Sequence, residues 1–201
     1  MKKTIIVLSV LFMAVVSQAQ EPGNVTINNK NTGLFGILQV SYIKNYNAYR
    51  IISGPDGVQK TDFETKGFHT YSLNVIFGYY VISKRLSVGA GFGLDGYHNP
   101  DINTAPLYGD VRFYFTSERN VPYIYIDYGG LVQLGQELDF HKGQVARIGL
   151  GYKFFVSRKL CMMADVSFAP KSISFTNEPV SRSDDSFYVK GVGFTLGFLL
   201  F

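Results

Sequence analysis

The stretch Tyr188-Val189-Lys190-Gly191-Val192-Gly193-Phe194-Thr195-Leu196-Gly197-Phe198-Leu199-Leu200-Phe201 decides the fold. One parity reads Val192, Phe194, Leu196, Phe198 and Leu200, and the other reads Gly191, Gly193, Thr195 and Gly197. Alternation at period two marks a strand with two unlike faces, one apolar and one small or polar. In lipid every backbone polar group must be paired within the protein, so a spanning sheet has to close on itself and turn its apolar side chains outward. The expectation is an all-β, eight-stranded antiparallel transmembrane β-barrel.

The same alternation recurs along the chain. Leu34 to Lys44, Phe68 to Val81, Leu86 to Tyr97 and Leu107 to Phe115 read as four strands, and Tyr123 to Gln133, Val145 to Phe155, Leu160 to Phe168 and Phe187 to Phe201 as four more. Each is near the roughly 9–11 residues that a tilted strand needs to cross a bilayer. Ile82 to Arg85, Thr116 to Pro122 and Val156 to Lys159 are short connections, whereas Asn45 to Gly67, His98 to Pro106, Leu134 to Gln144 and Ala169 to Ser186 are longer and polar. Short periplasmic turns and long extracellular loops are the pattern of the class, which puts both termini in the periplasm. The first strand is less clean, because Phe35, Ile37 and Ile43 share a face with Gln39 and Ser41.

The N-terminus reads as an export signal. Met1-Lys2-Lys3 is basic, Ile5 to Val16 is apolar, and Ser17-Gln18-Ala19 places small residues where a signal peptidase reads them. The apolar run is short of the roughly 20 residues of a membrane helix. Residues 1–19 are therefore expected to be cleaved, residues 20–33 to be a periplasmic lead-in, and residues 34–201 to form the barrel. Composition agrees: 21 glycines, 15% aromatic residues and only 17% charged residues make a poor fully hydrated surface. The formal charge of +4 counts Lys2 and Lys3, so it falls by two to +2 on their removal, too little to point to nucleic acid. Cys161 is the single cysteine, which excludes an intramolecular disulfide.

A soluble barrel also alternates, with its apolar face inside. Its water-facing surface is normally dense in Lys and Glu, whereas the polar face here is mostly Gly, Ser and Tyr with a few Asp and Arg. Such residues suit a crowded interior. Tyr42, Tyr79, Tyr128 and Tyr152 are available for the aromatic girdles of a chain without Trp.

On the Ser17-Gln18-Ala19-Gln20 junction, the Pro106-Leu107-Tyr108-Gly109-Asp110-Val111-Arg112 strand entry and the Gly191 to Phe198 run, the chain resembles small eight-stranded outer-membrane proteins of the OmpA/OmpX type, particularly those of Bacteroidetes-like bacteria. The resemblance implies the outer membrane of a Gram-negative bacterium, contact with its lipid and lipopolysaccharide, and an assembly signal carried by Gly193, Leu196, Phe198 and Phe201 for the barrel-insertion machinery.

Parity turns Asp95, Asp110, Arg112, Asp127, Arg147, Lys153 and Asp165 inward. Eight strands leave a lumen just wide enough for side chains to fill, and buried charges are kept only when paired, so these seven are expected to form a plug. A symmetric turn between the fourth and fifth strands sets Arg112 opposite Asp127, and the same construction sets Asp95 opposite Asp110. The alternative use of the same charges is a small passive channel.

Other motifs carry less. Gly91-Phe92-Gly93-Leu94-Asp95-Gly96 matches the dinucleotide-binding glycine pattern, but a loop follows it where that pattern needs a helix. No cofactor is expected. Asp101 with Asn103, or Asp184 with Asp185, lack the ligand spacing of a calcium loop. Lipid A chemistry needs a Ser, a His and an acid on one patch; Ser72, His69, His98, His141 and Asp139 are the available residues, and the expectation is no enzyme. The outer loops, with Tyr46, Tyr49, Phe63 and Phe175, are the expected place for an extracellular protein or ligand to bind.

Overall fold

The computed structural model describes residues 31–54, 57–98, 103–133, 142–156, 160–175 and 184–200. The export signal, His141, Asp139, Asp101 and Phe201 lie outside the described residues.

Nine strands follow one another: β1 (Gly33–Gly54), β2 (Gly57–Asp62), β3 (His69–Ile82), β4 (Leu86–His98), β5 (Asn103–Tyr114), β6 (Val121–Gln133), β7 (Lys142–Phe155), β8 (Cys161–Ser174) and β9 (Asp184–Leu200). β2 pairs antiparallel with β1 alone, β1 pairs with β3, each strand from β3 on pairs with the next, and β1 pairs with β9, so β1 and β3 to β9 close into an eight-stranded barrel. Closure leaves those strands no free edge, the condition for crossing lipid. No helix among the described residues is long and apolar enough to cross a membrane.

Alternation sets the two faces of the wall. Leu34, Leu38, Val40, Phe77, Val88, Phe92, Leu107, Val111, Ile126, Ile148, Leu150, Val166, Phe194 and Leu196 are exposed on the outside. A continuous exposed apolar belt on this scale marks a surface meant for lipid or a partner. Tyr42 and Tyr128 stand toward its outer end and Tyr79 and Tyr152 toward the other, all exposed. A charge at mid-belt should therefore be expensive. Ile126→Arg is expected to lower stability by about 2–4 kcal/mol, measured as urea unfolding from lipid vesicles, while Asn103→Arg at the outer end changes it little; equal midpoints would show that this wall does not meet lipid.

The inside is lined by the opposite parity. Glycine makes room there. A Cβ on Gly91 would sit 2.4 Å from the Tyr108 ring, and one on Gly93 would sit 2.3 Å from the Asn74 amide oxygen, which accounts for the glycine pattern without a nucleotide. In β1 the inward set is Phe35, Ile37, Gln39, Ser41, Ile43 and Asn45, all buried. The mixed face is thus real: the interior itself changes from apolar at the end carrying the short turns to polar at mid-height.

Several strand limits differ from the alternation in the sequence. β1 runs to Gly54, well past Lys44, and β2 folds back on it from Tyr49↔Asp62 to Gly54↔Gly57, so much of the expected 45–67 loop is a hairpin extending the wall. β8 continues to Ser174 past Pro170. Pro106 and Pro170 lack an N–H, and the ladder is interrupted beside each without a change of register, between Phe92↔Leu107 and Asp95↔Thr104 and between Val145↔Lys171 and Ile148↔Phe168.

Candidate functional site

Among the described residues the lumen holds the densest polar chemistry. Asp95, Asp110, Arg112, Asp127, Arg147, Lys153 and Asp165 are all buried inside the wall, together with Lys171. Among the described residues the buried charges are thus four carboxylates against four cations. Balance of this kind is what a low-dielectric interior demands.

At mid-height the partners differ from those a symmetric turn implies. β5 and β6 register as Asp110↔Asp127 and Arg112↔Tyr125, two residues away from an Arg112↔Asp127 pairing. Arg112 instead reaches along its own strand to Asp110, with Nε 3.0 and 2.9 Å from the carboxylate oxygens and Nη2 at 2.9 Å. Its guanidinium lies over Tyr125 at 4.9 Å and Tyr123 at 5.5 Å. Asp127 belongs to Arg147, which faces it across β6 and β7 with Nε at 3.1 Å. Two neighbouring carboxylates are therefore bracketed by two arginines. This relieves the repulsion that like charges opposite each other would otherwise impose.

Asp95 does not face Asp110. Its partner across β5 is Thr104, and Asp110 faces Gly89. Asp95 instead accepts from the Ser72 hydroxyl and from Lys171 Nζ at 2.6 Å. Lys171 lies 4.7 Å over the Tyr97 ring. Lys171 escapes the sequence reading because Pro170 reads as a strand end, yet its parity matches Asp165 and Ser167. Toward the short-turn end, Asp165 accepts from the Tyr123 and Tyr125 hydroxyls at 2.9 and 2.8 Å. Lys153 donates to the Asn31 side-chain oxygen at 2.6 Å and to the Tyr80 hydroxyl at 3.3 Å, with its ammonium 4.3 Å from the Tyr114 ring centre. Asn31 in turn accepts from the Lys84 N–H at 2.8 Å. The chain just before β1 is thereby tied into the mouth of the barrel.

The arrangement ties six of its eight charges into ion pairs and the other two to uncharged side chains. Apolar and aromatic side chains close in on both sides: Phe35, Tyr80, Tyr114, Val121, Cys161 and Leu199 at one end, Phe68, Tyr97, Leu131, Val145, Ile173 and Phe187 at the other. No group of three metal-ligating side chains exists among the described residues. Ser72 is buried in the lumen, whereas His69 and His98 stand on the outer side of the wall, so these residues do not assemble a nucleophile and base. Of the proposed assembly residues, Gly193 is buried inside and Leu196 is exposed outside.

The outer extension is built differently. Tyr49 stacks on Tyr188 at 5.1 Å, Phe63 meets Phe187 edge-on at 5.6 Å, and Arg50 pairs with Asp185 while lying 5.6 Å from the Phe175 ring centre. Tyr49, Phe63 and Phe175 therefore help to rigidify the extension.

No family model matches the chain, and no curated protein matches it either. Solved structures do. The outer membrane protein OprG from Pseudomonas aeruginosa is similar over 85% of this chain and 96% of its own, at 12% identity and a TM-score of 0.53. The outer membrane protein AlkL, solved in lipid bilayers, is similar over 90% of this chain and 95% of its own, at 16% identity and a TM-score of 0.50. The fold is that of a small outer-membrane β-barrel. At these identities the likeness extends to the fold alone.

Proposed function

We propose that the chain is an integral outer-membrane protein of a Gram-negative bacterium, exported by a cleaved N-terminal signal, whose barrel is a plugged scaffold for a surface-exposed extension rather than a pore or an enzyme. The single observation behind this reading is the lumen: four carboxylates and four cations, all buried, six of them in three ion pairs and Asp165 and Lys153 in hydrogen bonds to uncharged side chains. A conducting path needs a continuous line of polar groups open to water and ions, whereas six of these eight charges stand in ion pairs, the other two are hydrogen-bonded to neighbours, and apolar layers lie at both ends. The belt of exposed apolar side chains supports contact with outer-membrane lipid and lipopolysaccharide, and the Gly193, Leu196, Phe198 and Phe201 run supports delivery through the barrel-insertion machinery. The hairpin of β1 and β2, with β9 beside it, offers an extracellular protein or ligand a rigid surface. Membership of the OmpA/OmpX-type group is part of the same proposal.

Single-channel recording tests it. Refolded protein in a planar bilayer is expected to give no discrete openings, with folding verified in the same sample by β-sheet circular dichroism. Reproducible openings that alter in Arg112→Ala would replace the plugged scaffold with a channel lined by these charges.

A further inference from the structure

The outside of the barrel carries one feature that the plug does not account for. Lys44, His69 and His98 occupy one row across three adjacent strands, with Lys44↔His69 and His69↔His98 as register partners. All three stand on the outer side of the wall, Lys44 and His98 exposed and His69 half-buried. The His69 and His98 rings lie 4.9 Å apart, and Tyr42 and Tyr71 flank His69 at 5.6 and 5.1 Å. Lys190 stands outward on β9 just above, its ammonium 6.0 Å from the Tyr49 ring centre.

The height of this row is set by the strand. From Leu34 at the start of the apolar belt to Lys44 the chain advances ten residues along β1. At about 3.3 Å per residue and a tilt of roughly 40°, that is about 25 Å along the barrel axis, the height of a lipid-facing belt. The row therefore lies at the outer interface, where acyl chains give way to headgroups. Below it the outward positions of β1, β3 and β4 are apolar or tyrosine; the row itself contains no carboxylate. Asp62, higher on the extension, is already paired with Lys60 at 2.8 Å.

Three nitrogen-bearing side chains stand side by side with no acid among them, a grouping of an ammonium and two imidazole rings that suits an anion. His69 Nδ1 lies 2.8 Å from the Gly67 carbonyl; donation there turns Nε2 to the outside, where it can share a proton with a phosphate oxygen. Neighbouring strands are about 4.8 Å apart, so adjacent members of the row can share one phosphate. The exposed Tyr42 and Tyr71 rings supply the amphipathic surface that interfacial sugars and upper acyl chains meet.

We propose that Lys44, His69 and His98 form a phosphate-binding row for a phosphorylated glycolipid headgroup of the outer leaflet, the class to which lipid A belongs. The inference rests on the membrane orientation argued above and adds a specific site to it. The site lies on the lipid-facing wall and engages its ligand from within the bilayer plane.

Native mass spectrometry of the refolded full chain in detergent, with purified bis-phosphorylated lipid A as the probe, tests the proposal. Wild type is expected to retain the lipid, and the double variant Lys44→Gln/His69→Gln to retain it about tenfold less, the loss of a charge-assisted contact. His98→Gln should weaken retention, while Lys142→Gln, at the outer end of β7, leaves it unchanged. Chemically dephosphorylated lipid A should not be retained. Equal retention of the dephosphorylated lipid, equal retention of phosphatidylglycerol, or wild-type retention by the double variant would each overturn the site. Insertion of the variants into lipid vesicles, read by protease protection, separates the two claims. Inserted protein without selective retention overturns the row alone, and wild type that never inserts overturns the membrane reading with it.

Discussion

Arg112→Ala should be among the most damaging single substitutions in this barrel, lowering stability by about 3–5 kcal/mol, the scale for removing one member of a buried ion pair. The guanidinium is fully buried and makes its ionic contact with Asp110, so its loss leaves the Asp110 carboxylate inside the wall beside Asp127 with Arg147 as the nearby cation. The effect should also be specific to its partner. In a double-mutant cycle, Arg112→Ala with Asp110→Asn should cost less than the two changes separately, by about 0.5–3 kcal/mol, because neither variant group then strands the other. The cycle of Arg112→Ala with Asp127→Asn should show a smaller coupling, since Asp127 is engaged by Arg147 at 3.1 Å. The measurement is urea unfolding followed by far-ultraviolet circular dichroism, because the chain has no Trp for fluorescence. Simple additivity for Arg112 with Asp110, or a stronger coupling with Asp127, would contradict the observed register.

That register shows what the sequence can and cannot disclose. A slip of one residue would turn every side chain to the opposite face, so the inward position of Arg112 is fixed by the hydrophobic pattern. A slip of two keeps every face and changes every partner. Parity therefore brings Arg112 and Asp127 into the lumen, but whether Arg112 faces Asp127 or Tyr125 depends on the geometry of the connection between β5 and β6, which alternation does not encode. Asp95 and Asp110 illustrate a larger slip of the same kind, with Asp95 opposite Thr104 in the structure. Strand ends are hidden for another reason. Beyond the belt both faces of the wall meet polar surroundings, the contrast between parities fades, and β1 continues to Gly54 without announcing it. Pro170 conceals Lys171 in the same way, because a residue that usually ends strands is tolerated at a gap in the ladder.

Closely spaced walls also make a prediction about glycine. Gly129→Ala should destabilise the barrel by about 1–3 kcal/mol, the usual cost of overpacking, although it adds a single methyl group. A Cβ at this position would lie 2.0 Å from the Leu107 carbonyl oxygen and 2.5 Å from Tyr108 Cα. Both belong to the backbone of β5, so relief requires moving a strand whose hydrogen bonds hold the closed wall. Gly91→Ala should cost less, because the nearest atoms at 2.4 and 2.5 Å are the end of the Tyr108 ring, which can turn aside. Gly109→Ala is the control on the outer face, where the nearest atom would be 3.9 Å away, and it should be neutral or slightly stabilising because alanine loses less backbone entropy than glycine. The order Gly129, Gly91, Gly109 in falling cost, read from urea midpoints, tests the interior packing independently of any charge. If all three variants unfold together, glycine in these strands reflects backbone freedom and not the room the lumen lacks.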